Sequence, residues 1–501
     1  MRCRFVIVPT FVPDGCNISL LAPFSLNISP EIIPQGIIMQ QSASVRFAAL
    51  VLALIASFSY AQPEIENIQQ IETLVQSTFN NDTPGGVVFV AHKDQIIYQS
   101  AIGVSQTGGD PLTTDSIFRI ASVTKQFTAV AILQLVEQGK LNLDDDINKH
   151  IPEFDTRGDL ITIKMLLNHT SGIRNFTSLP DFNPQLEATD VSPDELMDFF
   201  NNIELAFKPG TRHSYSNSGY ALLGIIIERV SNQTYAKYMQ EHIFFKAGMK
   251  RAFAGGDHND TTGFATGHHN ARSGFKPTEY ISLTWPFSAG CIETTAADLH
   301  TWTRALYAGK IISPESLQQA HTITTLPSGR EIKYGYGWDT LQIQGHPSIE
   351  HGGGIAGFSS YTLYIPSKET FVTILCNTQP GDLQELAAKI AAIAIGQPYD
   401  EMDEIKIDTA ELQRFTGIYT DQRGNERHIS IRNGRLFSQR IGGMGLFLIP
   451  HAPNRFMLKG TLIEIEFVPD DSNQVNELIF RTRARDAIWT RNPKPSPAKS
   501  P

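Results

Sequence analysis

Phe118-Arg119-Ile120-Ala121-Ser122-Val123-Thr124-Lys125 is the most informative stretch of the sequence, because it leads directly into an apolar segment. Apolar residues recur after it at Phe127, Val130, Ala131, Leu135 and Val136. This spacing predicts a buried helix. Ser122 and Lys125 are three residues apart, and a helix places two such side chains on one face. The stretch therefore predicts a hydroxyl beside an amine.

A serine hydroxyl is a weak nucleophile until a neighbouring group takes its proton. A lysine lodged against an apolar helix has its pKa lowered by burial, and its amine is then able to act as that base. The same four residues also fit an N-cap serine followed by a solvated lysine. The Ser122–Lys125 pair therefore indicates chemistry only in combination with other motifs.

A second candidate motif is Tyr215-Ser216-Asn217, which stands directly before a helix predicted over 218–230. A phenol and an amide two residues apart on a loop are able to point the same way. Tyr215 is then a candidate proton shuttle, and Asn217 a candidate to hold a substrate carbonyl or the lysine. A simple turn with a helix cap explains the same residues.

A third candidate is the glycine-rich run His351-Gly352-Gly353-Gly354-Ile355-Ala356-Gly357, which precedes a strand predicted over 361–365. Glycines let a substrate backbone lie against an edge strand and leave a main-chain N–H free to stabilise an oxyanion. The run also fits G-x-G-x-x-G, but that dinucleotide motif needs a helix after it. Because a strand follows here, nucleotide binding is rejected.

The periodicity of the apolar residues around these motifs changes twice along the chain. A helix around 65–79 and a β-hairpin over 87–98 come first, and 122–310 is mostly helical. Strands return at 360–365 and 371–375, followed by an alanine-rich helix over 383–395. We therefore expect an α+β domain over 62–396, in which both ends share one antiparallel sheet flanked by helices and the middle forms an α-rich subdomain.

The remainder of the chain has a different organisation. The stretch 397–407 is polar and acidic and is interpreted as a linker. From 408 to 491 the pattern has period 2, and Asn433-Gly434 is a strong type I′ hairpin signal. This predicts a small antiparallel β-barrel-like domain, followed by a proline-rich tail over 492–501 that cannot form a core.

The N-terminal 61 residues resemble a removable extension. Arg46 precedes an apolar run over 47–58, and Ser59 and Ala61 stand at −3 and −1 of a candidate cleavage site. These are the parts of a secretory signal peptide, with Met39 as the expected start and cleavage after Ala61. A membrane anchor is the alternative, but the run is shorter than the ~20 apolar residues that span a bilayer. A periplasmic or secreted location is expected.

The composition of the chain excludes several classes of protein. The 501 residues are 41% hydrophobic with a formal charge of −10, so a globular protein without a basic face for nucleic acid is expected. In the exported chain only Cys291 and Cys376 remain, and two free thiols are favoured over a disulfide. No metal site is expected, because the histidine-rich stretch 258–269 lacks ligand spacing. No cofactor is implied.

The three motifs occur in the order Ser-x-x-Lys, Tyr-x-Asn and His-x-Gly. This order resembles the serine β-lactamase and penicillin-binding-protein superfamily, within the class C β-lactamase branch that includes D,D-carboxypeptidases, D-aminopeptidases and esterases. Stretches at 166–173, 209–220 and 288–299 are typical of the same branch. The resemblance covers about 65–395, and the β domain resembles the C-terminal barrel-like modules of some members.

The resemblance implies catalytic roles for three residues. Ser122 would be the acylated nucleophile, Lys125 its activating partner and Tyr215 the proton shuttle. The substrate-binding positions it implies are Asn217, His351, Gly353 and Gly354. The oxyanion hole would consist of the backbone N–H groups of Ser122 and Gly354. Many members have a lysine where this chain has His351. A neutral imidazole supplies less positive charge, which favours an esterase or peptidase role over β-lactam hydrolysis.

The sequence therefore predicts an exported serine hydrolase that cleaves an amide or ester of a small-molecule or peptide substrate. A penicillin-binding or sensor protein that acylates without turnover is the alternative. The motifs fix the acyl chemistry and leave the substrate open among β-lactams, D-amino-acid peptides and esters.

Overall fold

The computed structural model describes residues 66–256, 262–400, 402–422 and 424–492. The predicted signal peptide, His258, Asp260 and most of the proline-rich tail lie outside these residues. The strands, in chain order, are β1 Gly86–His92, β2 Gln95–Ile102, β3 Phe118–Arg119, β4 Phe253–Ala254, β5 His268–Ala271, β6 Gly274–Pro277, β7 Ile292–Thr294, β8 Thr324–Thr325, β9 Glu331–Ile332, β10 Asp339–Ile343, β11 His346–Ile355, β12 Phe358–Ile365, β13 Thr370–Cys376, β14 Gly417–Asp421, β15 Glu426–Arg432, β16 Arg435–Arg440, β17 Gly445–Ala452, β18 Arg455–Leu458, β19 Glu464–Pro469, β20 Val475–Arg481 and β21 Asp486–Arg491.

The helices are α1 66–78, α2 Thr124–Glu137, α3 Ile163–Leu167, α4 Pro184–Glu187, α5 Pro193–Asn201, α6 Asn217–Ser231, α7 Tyr235–Tyr238, α8 Phe245–Ala247, α9 Phe287–Gly290, α10 Ala296–Tyr307, α11 Pro314–His321, α12 Leu383–Ala394 and α13 Thr409–Leu412. Short 3₁₀ turns lie at Ala121–Val123, Ile147–Lys149, Phe176–Ser178, Pro366–Lys368 and Gln413–Phe415, and a π-helical turn at Met239–Phe244.

A six-stranded antiparallel sheet with the order β10-β11-β12-β13-β1-β2 forms the centre of residues 66–396. These residues are called the hydrolase-like region below. Strand β1 pairs with β13 from Gly86 opposite Cys376 to His92 opposite Thr370, so the two ends of this region meet in one sheet as predicted. One face packs on α1 and α12, and the other packs on α2, α10 and the helical middle of the chain. The α+β fold class predicted from the sequence is confirmed.

Strand β11 is the main departure from the sequence-based expectation. The glycine-rich run was expected to precede a strand, yet His351 and the three glycines after it lie within β11 itself. Glycine is depleted in strands, so the local strand propensity of residues 351–354 did not predict that they belong to a strand. It forms because β11 and β12 are joined by the two-residue turn Ala356-Gly357, with Ile355 opposite Phe358.

The C-terminal β region forms a closed barrel of eight antiparallel strands, β14 to β21. The Asn433-Gly434 turn joins β15 to β16 as its sequence predicted, and both residues have positive φ. Closure removes the free sheet edges that would otherwise invite pairing with another chain. The barrel core includes Tyr419, Phe456 and Phe467.

Three further properties concern the described part of the chain. Cys291 and Cys376 are both buried and do not form a disulfide, in agreement with the favoured expectation. Within residues 66–492, apart from the gaps named above, no helix has the length and apolar character to cross a bilayer. The same residues contain no cluster of three or more histidine, cysteine or acidic side chains arranged to hold a metal ion.

Candidate active site

Ser122 lies on the 3₁₀ turn Ala121–Val123, which joins β3 to α2. The sequence predicted that Ser122 and Lys125 share one regular helix, but α2 begins only at Thr124. The preceding residue, Ala121, has a φ of 47°, a left-handed conformation that ends the regular helix on the N-terminal side of Ser122. Backbone strain of this kind costs about 1–3 kcal/mol and is typical of functional sites.

Lys125 is fully buried, and its amine lies 3.1 Å from Ser122 Oγ. The amine donates hydrogen bonds to Asn217 Oδ1 at 2.8 Å and to the carbonyl oxygen of Ala289 at 2.8 Å. Burial lowers the pKa of Lys125 well below the ordinary value of 10.5, because the charged form loses its hydration. The site therefore favours a neutral amine beside the serine hydroxyl.

Tyr215 lies on the loop before α6, where the Ser216 side chain caps the helix by accepting from the Gly219 N–H at 3.3 Å. The Lys125 amine lies 4.8 Å from the centroid of the Tyr215 ring. The residue is 36% exposed. Partial burial raises the pKa of Tyr215, although a hydrogen bond with Ser122 works against the rise.

His351 on β11 is 4% exposed, and both of its ring nitrogens have partners inside the protein. Nδ1 lies 2.6 Å from the Gly352 carbonyl oxygen, and Nε2 lies 3.0 Å from the Tyr334 hydroxyl. A carbonyl oxygen only accepts, so Nδ1 carries the proton and Nε2 accepts from Tyr334. Burial is the main cause that lowers the pKa of His351 to about 3.

The two predicted substrate-binding glycines differ in their surroundings. A Cβ atom on Gly353 would lie 2.3 Å from the carbonyl oxygen of Ile120 and 3.0 Å from the Ser122 amide nitrogen. A Cβ atom on Gly354 would meet no atom within 4 Å. Gly353 therefore allows β11 to approach the Ser122 turn, whereas Gly354 faces open space.

Sequence reasoning assigned no role to two aromatic residues that complete the cluster. The His169 ring centroid lies 4.3 Å from that of Tyr215 and 4.8 Å from that of Tyr334. His169 Nδ1 accepts from the Ser216 N–H at 3.2 Å, which ties it to the Tyr215 loop. His169 stood within a stretch typical of the resembled branch, but no sequence pattern marked Tyr334.

The fold and this convergence of Ser122, Lys125, Tyr215 and His351 define a member of the serine β-lactamase and penicillin-binding-protein superfamily. Comparison with known proteins gives the same superfamily. The family described as Beta-lactamase matches residues 67–395. Penicillin-binding protein 4* of Bacillus subtilis strain 168 is 30% identical, over 80% of this chain and 93% of that protein.

Two more relatives extend the comparison. The D-aminopeptidase of Gluconobacter oxydans strain 621H is 26% identical over 67% of this chain and 64% of its own length. The octameric penicillin-binding protein homologue from Pyrococcus abyssi has a TM-score of 0.58 and 23% identity, and covers 88% of this chain and 100% of its own. The chain belongs to the Beta-lactamase family, and it is a serine hydrolase of that family.

Proposed function

We propose that this protein is an exported serine hydrolase that cleaves an amide or ester through an acyl-enzyme on Ser122. The observation that carries the proposal is the set of partners around the Lys125 amine. A neutral amine has two N–H donors and one lone pair. Asn217 Oδ1 and the Ala289 carbonyl oxygen accept the two N–H bonds, so the lone pair is left for the Ser122 hydroxyl at 3.1 Å.

In the first step the Ser122 hydroxyl proton passes to Lys125 while Oγ bonds to the substrate carbonyl carbon. The carbonyl π electrons move to oxygen, which becomes an oxyanion. The oxyanion then collapses and the bond to the leaving nitrogen or oxygen breaks, while Tyr215 passes a proton to that atom and receives the proton held by Lys125. The acyl group remains on Ser122 until water attacks its carbonyl carbon, loses a proton through Tyr215 and releases the acid, and the Ser122 hydroxyl is restored. The raised pKa of Tyr215 supports a phenol that donates and relays protons, rather than a standing phenolate base.

The oxyanion would be held by the N–H groups of Ser122 and Gly354. In an antiparallel pair, bonded and non-bonded positions alternate along the strand. Ile355 and Phe358 flank a two-residue turn and form a bonded pair, so the Gly354 N–H is directed away from β12. That N–H is available to a ligand, and the open space around Gly354 supports the assignment.

His351 narrows the substrate class. Its Nδ1 is committed to the Gly352 carbonyl and its Nε2 to Tyr334, and its low pKa keeps the ring neutral at pH 7. It therefore offers no cation and no free N–H to a substrate carboxylate. We infer that the preferred substrate is an ester or amide without a carboxylate on the side that faces β11.

Export is the second part of the proposal and rests on the signal-peptide pattern over 39–61. Expression of the full chain in a bacterial host, followed by fractionation and intact mass measurement, tests it. Recovery of a chain that starts at Gln62 from the periplasm or medium supports export. Retention of the uncleaved segment in the cytoplasm contradicts it.

The hydrolase proposal is tested by incubating the purified protein with a p-nitrophenyl ester, a D-amino-acid p-nitroanilide and a fluorescent penicillin. We expect turnover of the ester or anilide and a transient adduct on the peptide that contains Ser122. Ser122→Ala should abolish both, whereas Ser192→Ala, at the exposed N-cap of α5, should leave both intact.

Two outcomes would contradict the proposal. Unchanged turnover in Ser122→Ala would show that the nucleophile is another residue. A stable adduct on Ser122 without product release would instead identify a penicillin-binding or sensor protein that acylates without turnover.

A further inference from the structure

The barrel contacts the hydrolase-like region through the turn between β20 and β21. Arg483 on this turn donates from Nε to the Gln342 carbonyl oxygen at 3.0 Å, and its Nη2 pairs with Glu350 Oε1. The Glu350 side chain is fully buried, and 11% of the Arg483 side chain is exposed. A barrel arginine therefore reaches strands β10 and β11 of the central sheet.

Glu350 is held in place by neighbours from the sheet as well. The Tyr361 hydroxyl donates to Oε2 at 2.5 Å, and the Ser348 hydroxyl donates to Oε1. Asp339 lies opposite Glu350 in the β10–β11 register. Burial and the charge of Glu350 raise the pKa of Asp339 to about 7, and Arg483 opposes this rise. Arg483 is thus the cation that compensates the buried carboxylate.

Glu350 is adjacent to the active-site residue His351, and the two side chains point to opposite faces of the sheet. Glu350 lies opposite Leu363, whose side chain belongs to the core under α12. Ile349, which shares the face of His351, belongs to the core on the other side of the sheet. The barrel therefore contacts the strand from behind the proposed active site.

Arg483 contacts β11 at the residue where the pairing between β11 and β10 ends. Pairing between β10 and β11 runs from Ile343 opposite His346 to Asp339 opposite Glu350 and ends there. From His351 to Ile355, β12 is the one described strand that pairs with β11, and Gly353 in this segment lies against the Ser122 turn. Arg483 binds the last residue of β11 that has a neighbour on both sides.

We propose that Arg483 is a positioning residue for the active site. By neutralising Glu350 it holds β11 in the register that keeps His351 and the Gly354 N–H beside Ser122. Without its cation, the buried carboxylate is left without a compensating charge and must move toward water, which displaces the strand. The predicted effect on rate rests on the proposed function, whereas the predicted effect on the strand does not.

The test uses Arg483→Met in the full chain, with Arg455→Met as the matched control. Arg455 is another barrel arginine, paired with Glu464 at 2.8 Å and 48% exposed. Hydrogen–deuterium exchange of the 346–355 peptide should become at least fivefold faster in Arg483→Met and stay unchanged in the control. We also expect kcat for the ester to fall at least tenfold, with KM changed less than threefold.

A second substitution that restores kcat would distinguish a positioning role of Arg483 from a general loss of stability. Glu350→Gln in the Arg483→Met background removes the charge that needed a cation, so most of the lost kcat should return. Arg483→Lys keeps the charge but cannot bond Gln342 and Glu350 together, and it should give an intermediate loss. This variant also serves if Arg483→Met does not fold.

The outcomes for the two proposals are distinct. Unchanged exchange in the 346–355 peptide, or unchanged kcat despite faster exchange, would overturn the positioning role. A double variant no better than Arg483→Met would also overturn it. If turnover proved independent of Ser122, the proposed function would fail while the exchange measurement still tested the role of Arg483 in holding β11.

Discussion

Asn217 accepts a hydrogen bond from the Lys125 amine at 2.8 Å, across the packed pair of helices α2 and α6. The bond joins the first residue of α6 to the second residue of α2. Its acceptor is a neutral amide, which orients the amine without adding negative charge. Because the Asn217 amide carries no charge, it does not raise the pKa of Lys125, which burial lowers.

Asn217→Asp should therefore move the pH dependence of acylation. A carboxylate beside Lys125 favours its charged form and raises its pKa, so less of the amine is neutral at pH 7. We expect kcat/KM at pH 7 to fall by up to ~10²–10⁴-fold, the range that a general base contributes. The rising limb of the pH–rate profile should move to higher pH.

The control for this variant is Asn232→Asp, because Asn232 lies just beyond the other end of α6. Its pH–rate profile should match that of the parent protein. An Asn217→Asp profile that keeps its midpoint would show that Lys125 is not the group that titrates.

Tyr334→Phe should destabilise the protein by about 1–3 kcal/mol, because Nε2 of the buried His351 loses its donor. The comparison variant is Tyr307→Phe. Tyr307 is another largely buried tyrosine, but its hydroxyl has no hydrogen-bond partner among the described residues. Removing that unpaired hydroxyl leaves no other group without its partner, so the free energy of unfolding should stay the same or rise. Urea unfolding of both variants measures the difference, and equal losses would contradict the assignment of the Tyr334 hydrogen bond.

Two adjacent glycines provide a packing test. Gly353→Ala would force a Cβ to within 2.3 Å of the Ile120 carbonyl oxygen, so β11 or the Ser122 turn must shift. We expect a loss of stability of about 1–3 kcal/mol and a large loss of acylation rate. Gly354→Ala meets no atom within 4 Å, and its melting temperature should stay near that of the parent protein. Thermal unfolding that ranks the two variants in the opposite order would disprove the close approach.

His351→Gln should make stability less sensitive to acid. The pKa of His351 is about 3 in the folded protein and near 6.5 when the chain unfolds, so only the unfolded chain takes up this proton between those values. Stability from this group is complete above about pH 6.5 and is lost as the pH falls toward 3, at about 1.4 kcal/mol per pH unit.

Unfolding free energies measured between pH 6.5 and 4 should therefore fall less steeply in His351→Gln, by up to that amount per pH unit. His428→Gln, at an exposed position on barrel strand β15, is the matched change. It should keep the slope of the parent protein. Identical slopes for the two variants would contradict a buried neutral imidazole.

The sequence by itself determined the elements whose period is local. Apolar spacing after Lys125 predicted α2, and Asn433-Gly434 predicted the β15–β16 hairpin, because helix and turn preferences act within a few residues. The order of the three motifs was enough to indicate the superfamily. Strand β11 escaped prediction because its glycines contradict local strand propensity, and only pairing with β12 makes it a strand.

Tertiary structure alone decided which distant groups meet. Tyr334 binds His351, Asn217 binds Lys125, and Arg483 of the barrel neutralises Glu350. None of these contacts has a local signature, since each is fixed by the packing of elements far apart in the chain. The low pKa of Lys125 and of His351 has the same origin, because burial is a property of the folded core.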